Sequence, residues 1–232
     1  RRDIAGFGAQ TAAVAVGGRT HSPPGGPFTQ SAKSEEYDGS AWANGNDANT
    51  SAGTRGSAGT LTAGLVFGGE GPAYDESEEY NGTSYTEGDD LNVGRYAPAG
   101  CGTQTAALAA GGYAPPPTGA RTAVAEEYNG TSWTAAEAMN ASRALGAGAG
   151  SQISTVAISG NPPAGTGVAT EDYDGTDWAT GENVGTGRQA GGGFGIGTGS
   201  AGIAAGYNNP PGILDITEEY TGAATAKSIT SS

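Results

Sequence analysis

The chain has 232 residues, 44 of them glycine, and a formal net charge of −14. Ile, Leu, Val and Phe together make up roughly a ninth of it, a composition that alone would indicate disorder. The acidic balance argues against a basic face for nucleic acid, no apolar run is long enough for a membrane-spanning helix, and a single cysteine, Cys101, excludes an internal disulfide.

Disorder does not need an aromatic pair at a fixed offset, and this chain has one in nearly every period. The wording Glu-Glu-Tyr-Asn-Gly-Thr-Ser-Trp recurs, with small changes, from Glu35, Glu78, Glu126, Glu171 and Glu218. The copies lie 43, 48, 45 and 47 residues apart. A period of this length marks one supersecondary unit stacked on its neighbours.

Each unit opens at an arginine: Arg2, Arg55, Arg95, Arg143 and Arg188. A strand of small residues follows, such as Ala144 to Ala149 or Gly191 to Gly197, then a polar turn such as Thr103-Gln104-Thr105. Such a glycine-rich strand suits a crowded axis and makes a poor outer strand. The second strand is apolar and ends in glycine, as in Ala12 to Gly18 and Ala106 to Gly112. A Pro-rich loop of variable length leads to the third strand, which ends in Tyr37, Tyr80, Tyr128, Tyr173 or Tyr220. The Asn-Gly and Asp-Gly pairs that come next favour a two-residue hairpin in which both central residues take positive φ. The fourth strand carries Trp42, Tyr85, Trp133 or Trp178, five residues after the tyrosine, and these aromatic pairs supply the apolar area between units.

Four strands per unit and five units predict an all-β fold, a five-bladed β-propeller with four antiparallel strands per blade. The whole chain forms one domain, with blades near 1–54, 55–94, 95–142, 143–187 and 188–232. In the last unit Ala223-Ala224-Thr225-Ala226 replaces the aromatic strand, so the seam there is expected to be looser or completed from outside the chain.

The order Arg, Gly-Gly, Tyr, Trp resembles the kelch repeat over essentially the whole chain. Gly17-Gly18, Gly68-Gly69 and Gly111-Gly112 match its double glycine, whereas Ser159-Gly160 and Ala205-Gly206 keep only the second. The wording is similar to kelch-type repeats of marine phages and bacteria, which implies a virion or surface protein. The hairpin also resembles the sialidase Asp-box in spacing, but tyrosine stands where that motif has Asp, so no enzymatic implication carries over.

Chemistry-bearing residues are few. Adjacent strand residues point to opposite faces, so no Glu-Glu pair makes a carboxylate dyad by itself. One structural Arg–Glu contact per blade is expected, drawn from Arg55, Arg95, Arg143 and Arg188 and from glutamates such as Glu36, Glu79 and Glu127. His21, the single histidine, lies in a Pro/Gly loop and is expected in solvent. One His and one Cys are too few for a zinc site. Asp47, Asp89 and Asp90 lack a calcium-loop pattern and are read as solvated turns. No cofactor, metal or catalytic residue is expected.

The repeats differ most in the loop after the second strand, where Phe28, Tyr74, Tyr113, Tyr207 and Asn208 are candidate binding residues. The sequence therefore suggests a non-enzymatic, extracellular structural or recognition module of a virion or cell surface. Its partners would be assembly proteins or a surface glycan, with a homo-oligomer or filament open. A lectin with sites between blades is the alternative, and a glycan-cleaving enzyme ranks last.

Overall fold

Among the described residues of the computed structural model every regular element is a β-strand. The structure describes the backbone of residues 1–21, 26–72, 74–161, 167–187, 192–194, 201–209, 212–221 and 227–229, with side chains beyond residue 187 described at 217–220 alone.

The first repeat runs β1 (Ala5–Ala9), β2 (Ala12–Val16), a side hairpin of β3 (Arg19–His21) and β4 (Phe28–Gln30), then β5 (Ser34–Tyr37) and β6 (Trp42–Asn44). The second has β7 (Gly56–Thr60), β8 (Ala63–Phe67), β9 (Ser77–Tyr80) and β10 (Tyr85–Glu87). The third has β11 (Ala99–Thr103), β12 (Ala106–Ala110), β13 (Ala125–Tyr128) and β14 (Trp133–Ala136). The fourth has β15 (Ala147–Ser151), β16 (Ser154–Ile158), β17 (Thr170–Tyr173) and β18 (Trp178–Thr180). Each repeat makes one antiparallel sheet in sequence order, apart from the inserted side hairpin. Together they form a β-propeller arrangement of four described blades. The fifth repeat gives a further sheet in the same order, β19 (Gly192–Phe194), β20 (Ala201–Asn209), β21 (Gly212–Thr221) and β22 (Lys227–Ile229).

Small residues decide the centre. The first strands β1, β7, β11 and β15 are neighbours around the axis, and they approach backbone to backbone. A Cβ on Gly100 would lie 2.6 Å from the Ser57 carbonyl oxygen, and one on Gly148 would lie 2.8 Å from that of Gly100. A backbone ladder ties the entry segments together: Thr54 N–H donates to Asp3 O, Ala97 N–H to Thr54 O and Leu145 N–H to Ala97 O. All four of these residues hold φ between 54° and 58°.

The core lies between blades. Tyr80 and Tyr85 of blade 2 pack on Phe7 and Val14 of blade 1. Tyr128 and Trp133 pack on Leu65 and Phe67, and Tyr173 and Trp178 on Cys101 and Leu108. Tyr220 of the fifth repeat packs on Val156 and Ile158. In blades 2 to 4 the aromatic pair therefore serves the interface with the preceding blade.

Two expectations need correction. The third and fourth strands are not joined by a two-residue turn. Tyr128 pairs with Trp133, leaving a four-residue loop in which Gly130 has positive φ but Asn129 does not. Asn129 uses its side chain instead, its Oδ1 accepting from the amides of Thr131 and Ser132 at 2.9 Å. That Asx arrangement satisfies the loop without a left-handed residue. The second correction concerns Tyr207 and Asn208, expected in a loop. Both belong to β20, paired with Leu214 and Ile213 beyond a register shift. The side chains of these two residues lie outside the described residues, as does Arg188.

Candidate functional site

The loop after each second strand begins at an equivalent backbone position. Both glycines of the Gly17-Gly18, Gly68-Gly69 and Gly111-Gly112 pairs take positive φ. At Gly68 a Cβ would lie 2.5 Å from the Arg95 carbonyl oxygen, so the turn admits little else. Ser159 takes the same conformation at φ 58°, with its buried hydroxyl unpaired.

Immediately after these turns stand Arg19, Glu70, Tyr113 and Asn161. Each pairs by a backbone bridge with the opening segment of its own repeat: Arg2 with Arg19, Gly53 with Glu70, Tyr96 with Tyr113 and Ala144 with Asn161. One fixed backbone frame thus presents four different side chains on one face. Arg19 joins Asp3 and Glu70 at 2.7 and 2.5 Å. Tyr113 stacks on Tyr96 with ring centroids 5.0 Å apart, and Tyr74 lies 6.0 Å from Tyr96. The Arg121 guanidinium sits over Tyr113 at 5.7 Å and donates to Asn161 Oδ1 at 2.9 Å. Asn161 Nδ2 donates to the Tyr113 hydroxyl at 2.7 Å. Burial, then the negative charge of Glu70, raises the Tyr96 phenol above its usual pKa.

Of the residues named from the sequence, Tyr74 and Tyr113 meet in this ladder. Phe28 lies under the guanidinium groups of Arg2 and Arg19 at 4.0 and 4.8 Å. His21 is exposed, 4.0 Å from the Phe28 ring. Tyr96, Arg121 and Asn161 were not foreseen, although for Asn161 the position following the glycine turn is a readable signal.

The repeat residues hold the blades. Arg55 reaches Glu78 at 2.7 Å, Arg143 reaches Glu171 at 2.5 Å, and Arg95 pairs with Glu126. The arginine partner is therefore the first glutamate of each pair, and it is buried. That carboxylate also accepts from backbone amides of the preceding blade, for example Asn140 and Ala141 onto Glu171. The second carboxylate, Glu36, Glu79 or Glu127, faces the following blade and accepts from Tyr80, Tyr128 and Tyr173 respectively. Tyr220 likewise donates to Asp172 at 2.9 Å. In the first repeat it is Arg1, not Arg2, that reaches Glu35.

Trp133 and Trp178 are buried and donate their indole N–H to Ser77 Oγ and Glu137 O, so they offer no platform to a ligand. Asp47 pairs with Lys33, while Asp89 and Asp90 accept from the amides of Trp133 and Ser77. Among the described residues no group of His, Cys, Asp and Glu could hold a metal ion, and no helix is long and apolar enough to cross a membrane. Cys101 is buried beside Thr155 Oγ1 at 3.0 Å, and burial pushes its thiol up to about 11. A cavity of about 560 Å³ opens along the axis, lined by Phe7, Cys101 and glycines of the first strands, and extends over Tyr37 and Trp42 of blade 1.

These features define a β-propeller whose one face carries a variable ring of side chains. No protein-family model matches the chain, and no curated protein matches it in sequence. Among solved structures, one titled "Structure of YjhT" shares the fold with a TM-score of 0.75. It is 12% identical, and the match covers 95% of this chain and 80% of that one.

Proposed function

We propose that this chain is a non-enzymatic recognition or structural module of a virion or cell surface, built as a kelch-type propeller in which the fifth repeat adds a fifth blade. The observation that carries the reading is the variable ring of Arg19, Glu70, Tyr113 and Asn161 on a repeated backbone frame. A scaffold that keeps its geometry and changes one outward residue per blade is suited to binding rather than to one reaction centre. The Tyr74–Tyr96–Tyr113 ladder, flanked by Arg121 and Asn161, offers ring faces and hydrogen-bond donors together. That combination suits a surface glycan or the polar rim of an assembly protein. The repeat carboxylates support a binding role, because nearly all of them are spent on tyrosines, arginines and backbone amides between blades. A lectin with sites between blades fits less well, since buried Tyr and Trp fill those spaces in blades 2 to 4.

Binding of the labelled protein to a glycan array and to bacterial cells tests the proposal. Saturable binding is expected, weakened about tenfold or more by Tyr113→Ala or Tyr96→Ala. A folded protein that binds neither glycans nor cells would overturn the recognition reading.

A further inference from the structure

The tyrosine–carboxylate contact between blades recurs four times, and blade 1 and the fifth repeat each carry an unused half of it. In blades 2 to 4 the hairpin aromatics are buried: Tyr85 is 6%, Trp133 3% and Trp178 7% exposed. Trp42, their counterpart in blade 1, is 55% exposed. Glu35 is 46% exposed at its side chain, against 1% for Glu78 and Glu126. The Tyr37 hydroxyl has no hydrogen bond among the described residues, whereas Tyr80, Tyr128, Tyr173 and Tyr220 each donate to the carboxylate of the preceding repeat. Gln10 is exposed. Its counterparts Gln104 and Gln152 each bridge two carbonyls of the preceding blade, Gly64 O with Tyr80 O, and Ala107 O with Tyr128 O.

The complementary parts lie on the fifth repeat. Glu219 stands where Glu36, Glu79, Glu127 and Asp172 receive a tyrosine, and it is exposed. Gly202 pairs with Tyr220 as Gly64 pairs with Tyr80, so the two carbonyls that a glutamine side chain would bridge are in register. Both halves are present in one chain, and among the described residues nothing covers the first.

We infer that blade 1 is the docking surface for the fifth repeat of a second copy of this chain, giving head-to-tail assembly. Tyr37 donates to the partner copy's exposed carboxylate at the Glu219 position, Gln10 bridges its strand carbonyls, and Trp42 packs into the seam as the buried hairpin aromatics do between blades. Such an interface joins two different surfaces, so it propagates instead of closing on a two-fold axis.

Light scattering coupled to size exclusion tests it, using the full chain over a range of concentrations. The wild type is expected to gain mass with concentration. Trp42→Ala and Glu219→Lys, both at exposed positions, should each be folded and monomeric, with association weakened about thirtyfold or more. Mixing the two variants is the sharpest arm. Each retains one intact surface, so the mixture should form a one-to-one dimer and nothing longer. A wild type that stays monomeric would overturn the inference. In that event, acrylamide quenching compared with Trp42→Phe reports whether the chain's own fifth repeat covers Trp42. Oligomers unaffected by either substitution would overturn it as well.

Discussion

The Glu-Glu-Tyr triplet divides its work by alternation along the strand. The first carboxylate and the tyrosine point toward the preceding blade, and the second carboxylate points toward the following one. The interfaces made by blades 2, 3 and 4 with the blade before them thus each gain a buried Arg–Glu pair and a phenol donating to a carboxylate. The phenols carry a consequence for pH. Burial first, and then the facing Glu36, Glu79 or Glu127, raises the Tyr80, Tyr128 and Tyr173 hydroxyls well above the ordinary value of 10.0. Ionisation therefore costs more in the folded state than in the unfolded one. Stability from these groups is fully present below pH 10 and is lost as pH rises beyond it, because the unfolded chain releases those protons first. Urea midpoints measured from neutral to strongly alkaline pH should stay level and then fall. The triple Tyr→Phe variant should begin less stable, having lost its hydrogen bonds, and show a shallower fall. An equally steep fall in that variant would place the alkaline sensitivity elsewhere.

At the scale of the element, the third–fourth strand hairpin shows what the sequence made legible. Its position, its aromatic pair and its Gly130-type glycine follow from the wording of the repeat, because these depend on strand alternation and on one backbone conformation. Its loop length did not, since Asn-Gly serves both a two-residue turn and a longer loop capped by the Asn side chain. The arginine was only partly legible for a similar reason. Arg95 and Arg143 lie two residues before the left-handed Ala97 and Leu145, and Arg1 holds that place before Asp3. Arg55 instead follows left-handed Thr54 and still reaches Glu78. A long flexible side chain fills the same slot from a different register, which a repeat alignment alone does not reveal. Tyr96 was missed because it lies in an entry segment with no repeated wording. The loop itself is testable. Asn129→Ala should cost about 1 kcal/mol through the two amides it leaves without their acceptor. Asn129→Asp should cost little, because Asp38 and Asp174 already cap the equivalent loops in the same way. Chemical denaturation of the two variants separates a capping side chain from one that merely tolerates the turn.

Over the whole molecule, stability follows from stacking. Each blade contributes little core of its own, because its Tyr and Trp pack on the blade before it, so blades stabilise one another as nearest neighbours. The first blade receives the Tyr80 and Tyr85 rings, but among the described residues no blade packs on its own Trp42, which is 55% exposed. Nearly the same wording therefore sits in two environments: Glu35, Tyr37 and Trp42 are half-buried or exposed in β5 and β6, whereas Glu126, Tyr128 and Trp133 are buried in β13 and β14. Local opening depends on how many apolar contacts must break. In dilute protein the β5–β6 amides should exchange with deuterium about tenfold or more faster than the β13–β14 amides, despite matching hairpin sequences. Hydrogen exchange read by mass spectrometry on peptides spanning Tyr37–Trp42 and Tyr128–Trp133 makes the comparison within one sample. Raising the protein concentration adds a second axis. Head-to-tail docking would slow exchange in β5–β6 and leave β13–β14 unchanged, since the latter hairpin is already covered. Equal exchange in the two hairpins at the lowest concentration would mean that blade 1 is covered within the single chain, and both the gradient and the open surface would then have to be abandoned.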